Sequence, residues 1–369
     1  MPIVDLTPAR ELLPGSVPLA LIDPTGRPTG QASSLTMPGP DVLWRLYRHM
    51  VLGRRFDTQA TALTKQGRLA VYPSARGQEA CEVGTVLALR EQDWLFPTYR
   101  DSMAIITRSV DPVEVLALLR GDAHCGYDPT LHRVATQCTP LATHTLHAVG
   151  LAHAATLKGE DTVAVVFLGD GATSEGDTHE ALNFAGVWNA PVVFLVQNNG
   201  YAISVPLAKQ TAAPSLAHKG IGYGVAAMQI DGNDAAGVYS AVRQAVEVAA
   251  AGGGPTLIEA LTYRVEAHTN ADDASRYRSS DEVAPWLARD PLARLERYLR
   301  DIGELDDAAS AAIQAEAEQS AAALRDRMNS EVVPHPAELF AHVYAQPTPA
   351  MLAQQATLMA EIDDAGADQ

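Results

Sequence analysis

GDGATSEGDTHEALNFAGVWNAPVVFLVQNNGYAIS, residues 169–204, decides the fold. Gly169, Asp170 and Gly171 follow VAVVFL (163–168), a short β-branched apolar run of strand type. Asn198 and Asn199 follow a second such run, VVFLVQ (192–197). Between Gly171 and Asn198 lie 26 residues, enough for one crossover helix and its two turns. SEGDTHEALNFAGVWN reads as that helix, with an acidic first turn. If the two runs are neighbours in a parallel sheet, both motifs sit at carboxyl ends on one edge, the edge where doubly wound folds bind ligands. That placement brings the Asp170 carboxylate and the Asn199 amide oxygen together. With a main-chain carbonyl and phosphate oxygens they form a hard-oxygen set that suits magnesium or calcium rather than zinc. The glycines allow close approach of backbone to phosphate, and the following helix N-terminus adds amide donors. The residues thus imply a magnesium–diphosphate site and leave the diphosphate itself open; the blander alternative is a pair of structural turns.

Working outward, VAAMQIDG (225–232) and PTLIEALTYR (255–264) read as later strands separated by a helix, so the expected fold is α/β, a doubly wound parallel sheet. Residues 1–40 hold eight prolines and read as an extended arm over a surface of this chain or of a partner. Residues 41–120 look helical, with a turn-rich link at RLAVYPSARG and a second helix at GQEACEVGTVLALR, and the α/β domain is expected over 41–283. From 284 to 369 a helical region follows, including an Ala/Glu-rich helix at 306–328 and two more at PAELFAHVYAQ and PAMLAQQATLMAEI.

The 369 residues carry 44 acidic against 27 basic side chains, a net charge of -17, which argues against nucleic acid or an anionic membrane surface as partner. Three cysteines with no CxxC pair argue against a disulfide framework or zinc ribbon. No apolar run is long enough to span a bilayer and no secretory signal is visible, so a cytoplasmic location is expected.

GDG followed by NN at this spacing, extended as NNGYAIS, resembles the signature of thiamine-diphosphate enzymes. FPTYRDS (96–102), TPLAT (139–143), DGND (231–234) and TYRVEAHTNADDASRYRSSDEV (262–283) resemble the alpha subunit of the decarboxylating component of 2-oxo acid dehydrogenase complexes. The run DDASRYRSSDEV with Trp286 behind it is closer to the branched-chain type than to the pyruvate or acetoin relatives. The resemblance implies oxidative decarboxylation of a branched-chain 2-oxo acid such as 3-methyl-2-oxobutanoate, with acyl transfer to a lipoyl group on a dihydrolipoyl acyltransferase core. It further implies thiamine diphosphate and Mg2+ as cofactors. A separate beta subunit would supply the activating glutamate, in a tetramer of two alpha and two beta chains.

Carried over, Asp170, Asn199 and the carbonyl of Tyr201 would ligate magnesium. Gly169, Gly171, Ala172 and Ile203 would line the cofactor. Thr98, Tyr99 and Arg100 would meet the diphosphate, a guanidinium fork being suited to phosphate oxygens. Thr139, Pro140 and Leu141 would hold the pyrimidine side, and Arg264 and His268 would come from a loop that closes over the cofactor. Tyr99, Arg264 and His268 are the catalytic candidates, while Val71, Tyr99 and Thr139 are the substrate candidates. A regulatory serine of eukaryotic relatives falls at Thr269.

The chain departs from the family where the stretch before TPLAT, RGDAHCGYDPTLHRVATQ, is short, where Gln197 replaces arginine, and where Thr98 replaces glutamine. Cys138 and His144 stand where a potassium loop would have serine and glutamine, so that loop is expected to be held by His144 hydrogen bonds and by Cys138 as a buried small hydrophobe. His144 and His147, at i and i+3 on an expected helix, could bind a metal but are read as packing or tail contacts, and the string Glu266, His268, Asp272 and Asp273 fits no usual metal pattern. A catalytically idle scaffold of the same fold is the non-enzyme alternative.

Overall fold

The structure, a computed structural model, describes residues 14–30, 35–122, 124–330, 335–341 and 343–367. Helices α1 (Pro40–Lys65) and α2 (Glu79–Ala88) precede strand β1 (Trp94–Phe96) and the short helices α3 (Ser102–Thr107), α4 (Pro112–Arg120) and α5 (Pro129–His132). Then come α6 (Thr143–Lys158), β2 (Ala164–Gly169), α7 (Gly176–Trp188), β3 (Val192–Asn198) and a small hairpin, β4 (Tyr201–Ala202) with β5 (Val205–Pro206). The sheet is completed by β6 (Ala226–Asp231), α8 (Ala235–Ala250) and β7 (Thr256–Leu261). The last helices are α9 (Ser280–Leu287), α10 (Pro291–Asp301), α11 (Asp307–Met328), α12 (Glu338–Ala341) and α13 (Pro349–Ala367).

Five strands form one sheet in the order β1-β2-β3-β7-β6, and every pair is parallel. Helices cover both faces, which explains why β2 and β3 are unbroken apolar runs rather than alternating ones. Val165 and Phe167 of β2 and Val193 and Leu195 of β3 point into a core shared with α2 and α8. Their neighbours Val166, Leu168, Phe194 and Val196 point into a second core with α6 and α7. This is the α/β parallel sheet expected from the two apolar runs.

Residues 41–120 are not wholly helical: β1 is a strand of three residues, too short to show any periodicity, and it pairs with β2. PAELFAHVYAQ yields only the four-residue α12 among its described residues; Leu339, Val343 and Tyr344 are exposed, so no buried face holds a longer helix.

The described part of the proline-rich arm lies on this chain. Leu19 bridges to Ile230 at the β6 edge, and Leu21 and Ile22 are buried. The buried Asp234 carboxylate accepts from Leu21 N (2.5 Å) and Ile22 N (3.0 Å). Arg294 donates to Ile22 O and pairs with Asp231 at 2.9 Å. Hydrogen bonds to a charged acceptor contribute about 1.5–3 kcal/mol each. Asp234→Ala is therefore expected to lower stability by roughly 2–4 kcal/mol, read as a fall in the urea midpoint at constant slope; an unchanged midpoint would show that the arm contributes nothing. At the other end, Leu295, Leu299, Ile313 and Leu324 of α10 and α11 join the same core as Leu43, Leu46 and Met50 of α1.

Candidate functional site

Four neighbouring strands deliver the site. Gly169 of β2 pairs with Gln197 of β3, and Asn198 pairs with Leu261 of β7, so the residues after each strand emerge on one edge. After β1 come Thr98, Tyr99 and Arg100; after β2, Asp170 and Gly171; after β3, Asn199 and Tyr201; after β7, Arg264. They meet around a cavity of about 180 Å³. Its lining includes Thr98, Tyr99, Arg100, Leu141, Gly169, Asp170, Gly171 and Ala172. It is completed by Asn199, Tyr201, Ile203, Arg264 and His268, with Gln78, Glu175, Gln197 and Ala202 beside them. Thr139, Pro140 and Val71 are exposed and stand outside the lining.

Asp170 is the buried negative charge of the lining. It is 1% exposed, and its Oδ2 accepts from Gln210 Nε2 at 2.6 Å, while Oδ1 is buried with no hydrogen-bond partner in the protein. Burial raises its pKa, against the opposing Gln210 hydrogen bond. A buried carboxylate oxygen without a donor is costly, and a divalent cation reverses that cost. Asn199 is buried too, its Oδ1 accepting from Tyr201 N at 3.2 Å and its Nδ2 donating to Gln78 Oε1 at 3.0 Å. With Asp170, the Asn199 amide oxygen and adjacent main-chain carbonyls, the donor set is all oxygen, and it fits Mg2+. Among the described residues no cluster of three His, Cys, Asp or Glu side chains offers a rival metal site.

Glycine is required at 171, where a Cβ would lie 2.7 Å from the Ala202 methyl. At Gly169 a Cβ would meet nothing within 4 Å, so the space beside it is open. Ile203 holds a left-handed φ of 55° and is kept there by Arg264 Nη2, which donates to its carbonyl at 2.7 Å.

Positive charge faces Asp170 across the cavity. Arg100 is 5% exposed and donates to Ser74 O at 2.8 Å and His268 O at 3.0 Å. Arg264, 1% exposed, donates to Tyr277 OH at 3.0 Å, and its Nε is buried without a partner. Both guanidinium groups reach His268 Nδ1, at 3.1 Å from Arg100 and 3.3 Å from Arg264. A guanidinium only donates, so Nδ1 accepts and the ring proton sits on Nε2. The loop carrying His268 is tied down: Asp272 Oδ2 accepts from His268 N (2.8 Å) and Tyr277 OH (2.5 Å). Arg278 binds the carbonyls of Arg264, Val265 and Glu266.

Burial, with Arg100 and Arg264 adding to it, lowers the His268 pKa from 6.5 to about 4. The closed loop therefore keeps a neutral imidazole where the open loop would protonate near 6.5. Protonation favours a form with His268 exposed, so the packed loop is expected to be weakened progressively as pH falls from 6.5 toward 4. Amide exchange across residues 264–278 of the cofactor-free chain is expected to quicken over that window more than global unfolding accounts for, and His268→Asn should flatten the dependence. Exchange independent of pH beyond its intrinsic rate would contradict the account.

The sequence reading missed Gln78, Asp101 and Gln210: Gln210 donates to Asp170, Gln78 accepts from Asn199, and Asp101 accepts from Gln197. Only Gln197 carried a signal, as a departure from arginine. Cys138 is half-buried rather than buried, with Sγ 3.1 Å from Pro140 O. His144 Nε2 donates to Phe167 O at 2.6 Å, fixing α6 to β2, and Thr143 Oγ1 donates to Asp177 at 3.0 Å.

The family model described as the Dehydrogenase E1 component matches residues 47–337. The 3-methyl-2-oxobutanoate dehydrogenase subunit alpha of Mycobacterium tuberculosis is 46% identical over 346 residues, covering 94% of each chain. The pyruvate dehydrogenase E1 component subunit alpha of Staphylococcus aureus is 41% identical over 262 residues, 71% of each chain. No helix among the described residues is long and apolar enough to cross a membrane. Carrying this cavity on this sheet edge and matched over most of its length, the chain belongs to the dehydrogenase E1 component family, the thiamine-diphosphate-dependent 2-oxo acid dehydrogenases, as an alpha subunit.

Proposed function

We propose that the chain is the alpha subunit of a branched-chain 2-oxo acid dehydrogenase, acting on 3-methyl-2-oxobutanoate with a beta subunit and passing the acyl group to a lipoyl arm of an acyltransferase core. The observation that carries the site reading is the partnerless Asp170 Oδ1, buried opposite Arg100, Arg264 and His268. The branched-chain assignment rests on the relative matched over 94% of its length, against 71% for the pyruvate one.

When bound, thiamine diphosphate supplies the electron-accepting ring on which a 2-oxo acid loses carbon dioxide. Asp170 Oδ1, Asn199 Oδ1 and the Tyr201 carbonyl would hold Mg2+, whose charge would offset that of the diphosphate. Arg100 and Arg264 supply the positive charge that would attract anionic oxygens, and His268 offers its Nε2–H as a neutral ring. The tied loop over the cavity excludes water, which strengthens each of these contacts. Leu141, at the rim, would offer the cofactor an apolar surface. Thr139, Pro140 and Val71, outside the cavity of the single chain, contribute to the pyrimidine and acyl sides only once the beta subunit covers that rim.

Co-expression with a beta subunit of the same family and assay by dye-coupled decarboxylation tests the reading. The expected result is kcat/KM for 3-methyl-2-oxobutanoate at least tenfold above that for pyruvate. A preference for pyruvate would move the chain to the pyruvate class and leave the cofactor site standing.

A further inference from the structure

Beneath the cavity three amide side chains join head to tail. Gln197 Nε2 donates to Asp101 Oδ1 at 2.6 Å, Gln78 Nε2 donates to Gln197 Oε1 at 2.8 Å, and Asn199 Nδ2 donates to Gln78 Oε1 at 3.0 Å. All four residues are buried, between 0% and 6% exposed. We infer that this relay sets which end of the Asn199 amide faces the cation, making Asp101, Gln197 and Gln78 positioning residues for Mg2+.

An amide can rotate by half a turn and exchange its oxygen and nitrogen with almost no change of shape. Asn199 therefore needs something to keep its oxygen, and not its NH2, on the ligand side. Both ends of the relay do this. At the far end, Asp101 Oδ2 accepts from Thr98 N and Thr98 Oγ1, each at 2.6 Å, which leaves Oδ1 as an acceptor that demands the NH2 of Gln197. Gln197 must then offer its oxygen to Gln78, and Gln78 its oxygen to Asn199. At the near end, Tyr201 N, a donor that cannot reverse, points at Asn199 Oδ1 at 3.2 Å. The two ends impose the same polarity on all three amides, so flipping Asn199 requires every bond in the row to reverse. Burial makes any one mismatch costly, because two facing donors or two facing acceptors have no water to turn to.

This inference rests on the reading of Asp170 and Asn199 as Mg2+ ligands, and an exchange of charge between two positions tests it separately. In Asp101→Asn the new side chain keeps its oxygen on Thr98 N and turns its NH2 to Gln197. The far end of the row then calls for reversed amides while Tyr201 N still calls for the Asn199 oxygen, so one buried mismatch must be carried, and Asn199 either turns its nitrogen to the cation or holds its oxygen there less firmly. Adding Gln197→Glu returns an acceptor that takes the NH2 of the new amide on one oxygen and Gln78 Nε2 on the other. The original polarity and total charge are restored. Mg2+ affinity is measured in the assembled alpha–beta enzyme by calorimetry at saturating thiamine diphosphate, with the melting temperature followed in parallel.

The expected result is an Mg2+ Kd raised at least tenfold in Asp101→Asn and returned to within about threefold of wild type in the double variant. Gln78→Met, which cuts the relay without touching a charge, is expected to raise Kd severalfold, and it serves if Asp101→Asn does not assemble. Wild-type Kd in folded Asp101→Asn or in Gln78→Met would overturn the inference, as would an assembled double variant as weak as the single one. A wild-type enzyme that binds the cofactor without any divalent cation would instead overturn the ligand reading itself.

Discussion

Asp170→Ala abolishes Mg2+-dependent binding of thiamine diphosphate in the assembled enzyme, weakening it by more than about a hundredfold. The carboxylate is the only charged oxygen aimed at the cation among the proposed ligands, and its Oδ1 has no other partner to lose. Without it, a dication and a diphosphate must share a buried pocket with two guanidinium groups and no protein anion to hold the metal in register. Folding is expected to survive, because burial already raises the Asp170 pKa and the side chain's one bond in the free chain is to Gln210. Calorimetry of cofactor binding together with a melting curve checks both halves; unchanged affinity in a folded variant contradicts the site.

Expressed and purified without its beta subunit, the chain turns over no 2-oxo acid. The described residues contain a single five-stranded sheet and a two-stranded hairpin, with no second sheet to carry another half-site. Within the cavity lining the carboxylates are Asp170, committed to the cation, and Glu175, exposed at the N-cap of α7. Glu175 faces solvent rather than a buried ring, and the expected pyrimidine contacts Thr139 and Pro140 are exposed as well. Adding the beta subunit is expected to raise decarboxylation from background to full turnover. Robust activity in the single chain would mean that it holds the missing acid itself.

The sheet was legible because β2 and β3 are buried on both faces and so spell themselves as apolar runs, each ending in a motif. β1 was not legible: three residues hold no period, and it is a strand only because it pairs with β2. That Asp170 and Asn199 meet at one cavity could be read from spacing, since one crossover helix determines which strand ends are neighbours. Arg100, Arg264 and His268 were named by resemblance, and the convergence of the two arginines on His268 Nδ1, one from behind β1 and one from behind β7, is a tertiary fact. The supporting residues Gln78 and Gln210 were invisible, because a glutamine in a link or a loop has no signature until its partner is known. The arm showed its extended character in its prolines but not its destination, which depends on Asp234 and Arg294 more than 200 residues away.

The most direct test is a crystal structure of the alpha–beta enzyme loaded with thiamine diphosphate and Mn2+ in place of Mg2+, with anomalous differences collected to place the metal. The account predicts one strong peak in each alpha-chain cavity, ligated by Asp170 Oδ1, Asn199 Oδ1, the Tyr201 carbonyl and two diphosphate oxygens, with Arg264 and His268 on the diphosphate. A cofactor bound with its diphosphate elsewhere, or a metal that does not touch Asp170 and Asn199, would contradict it.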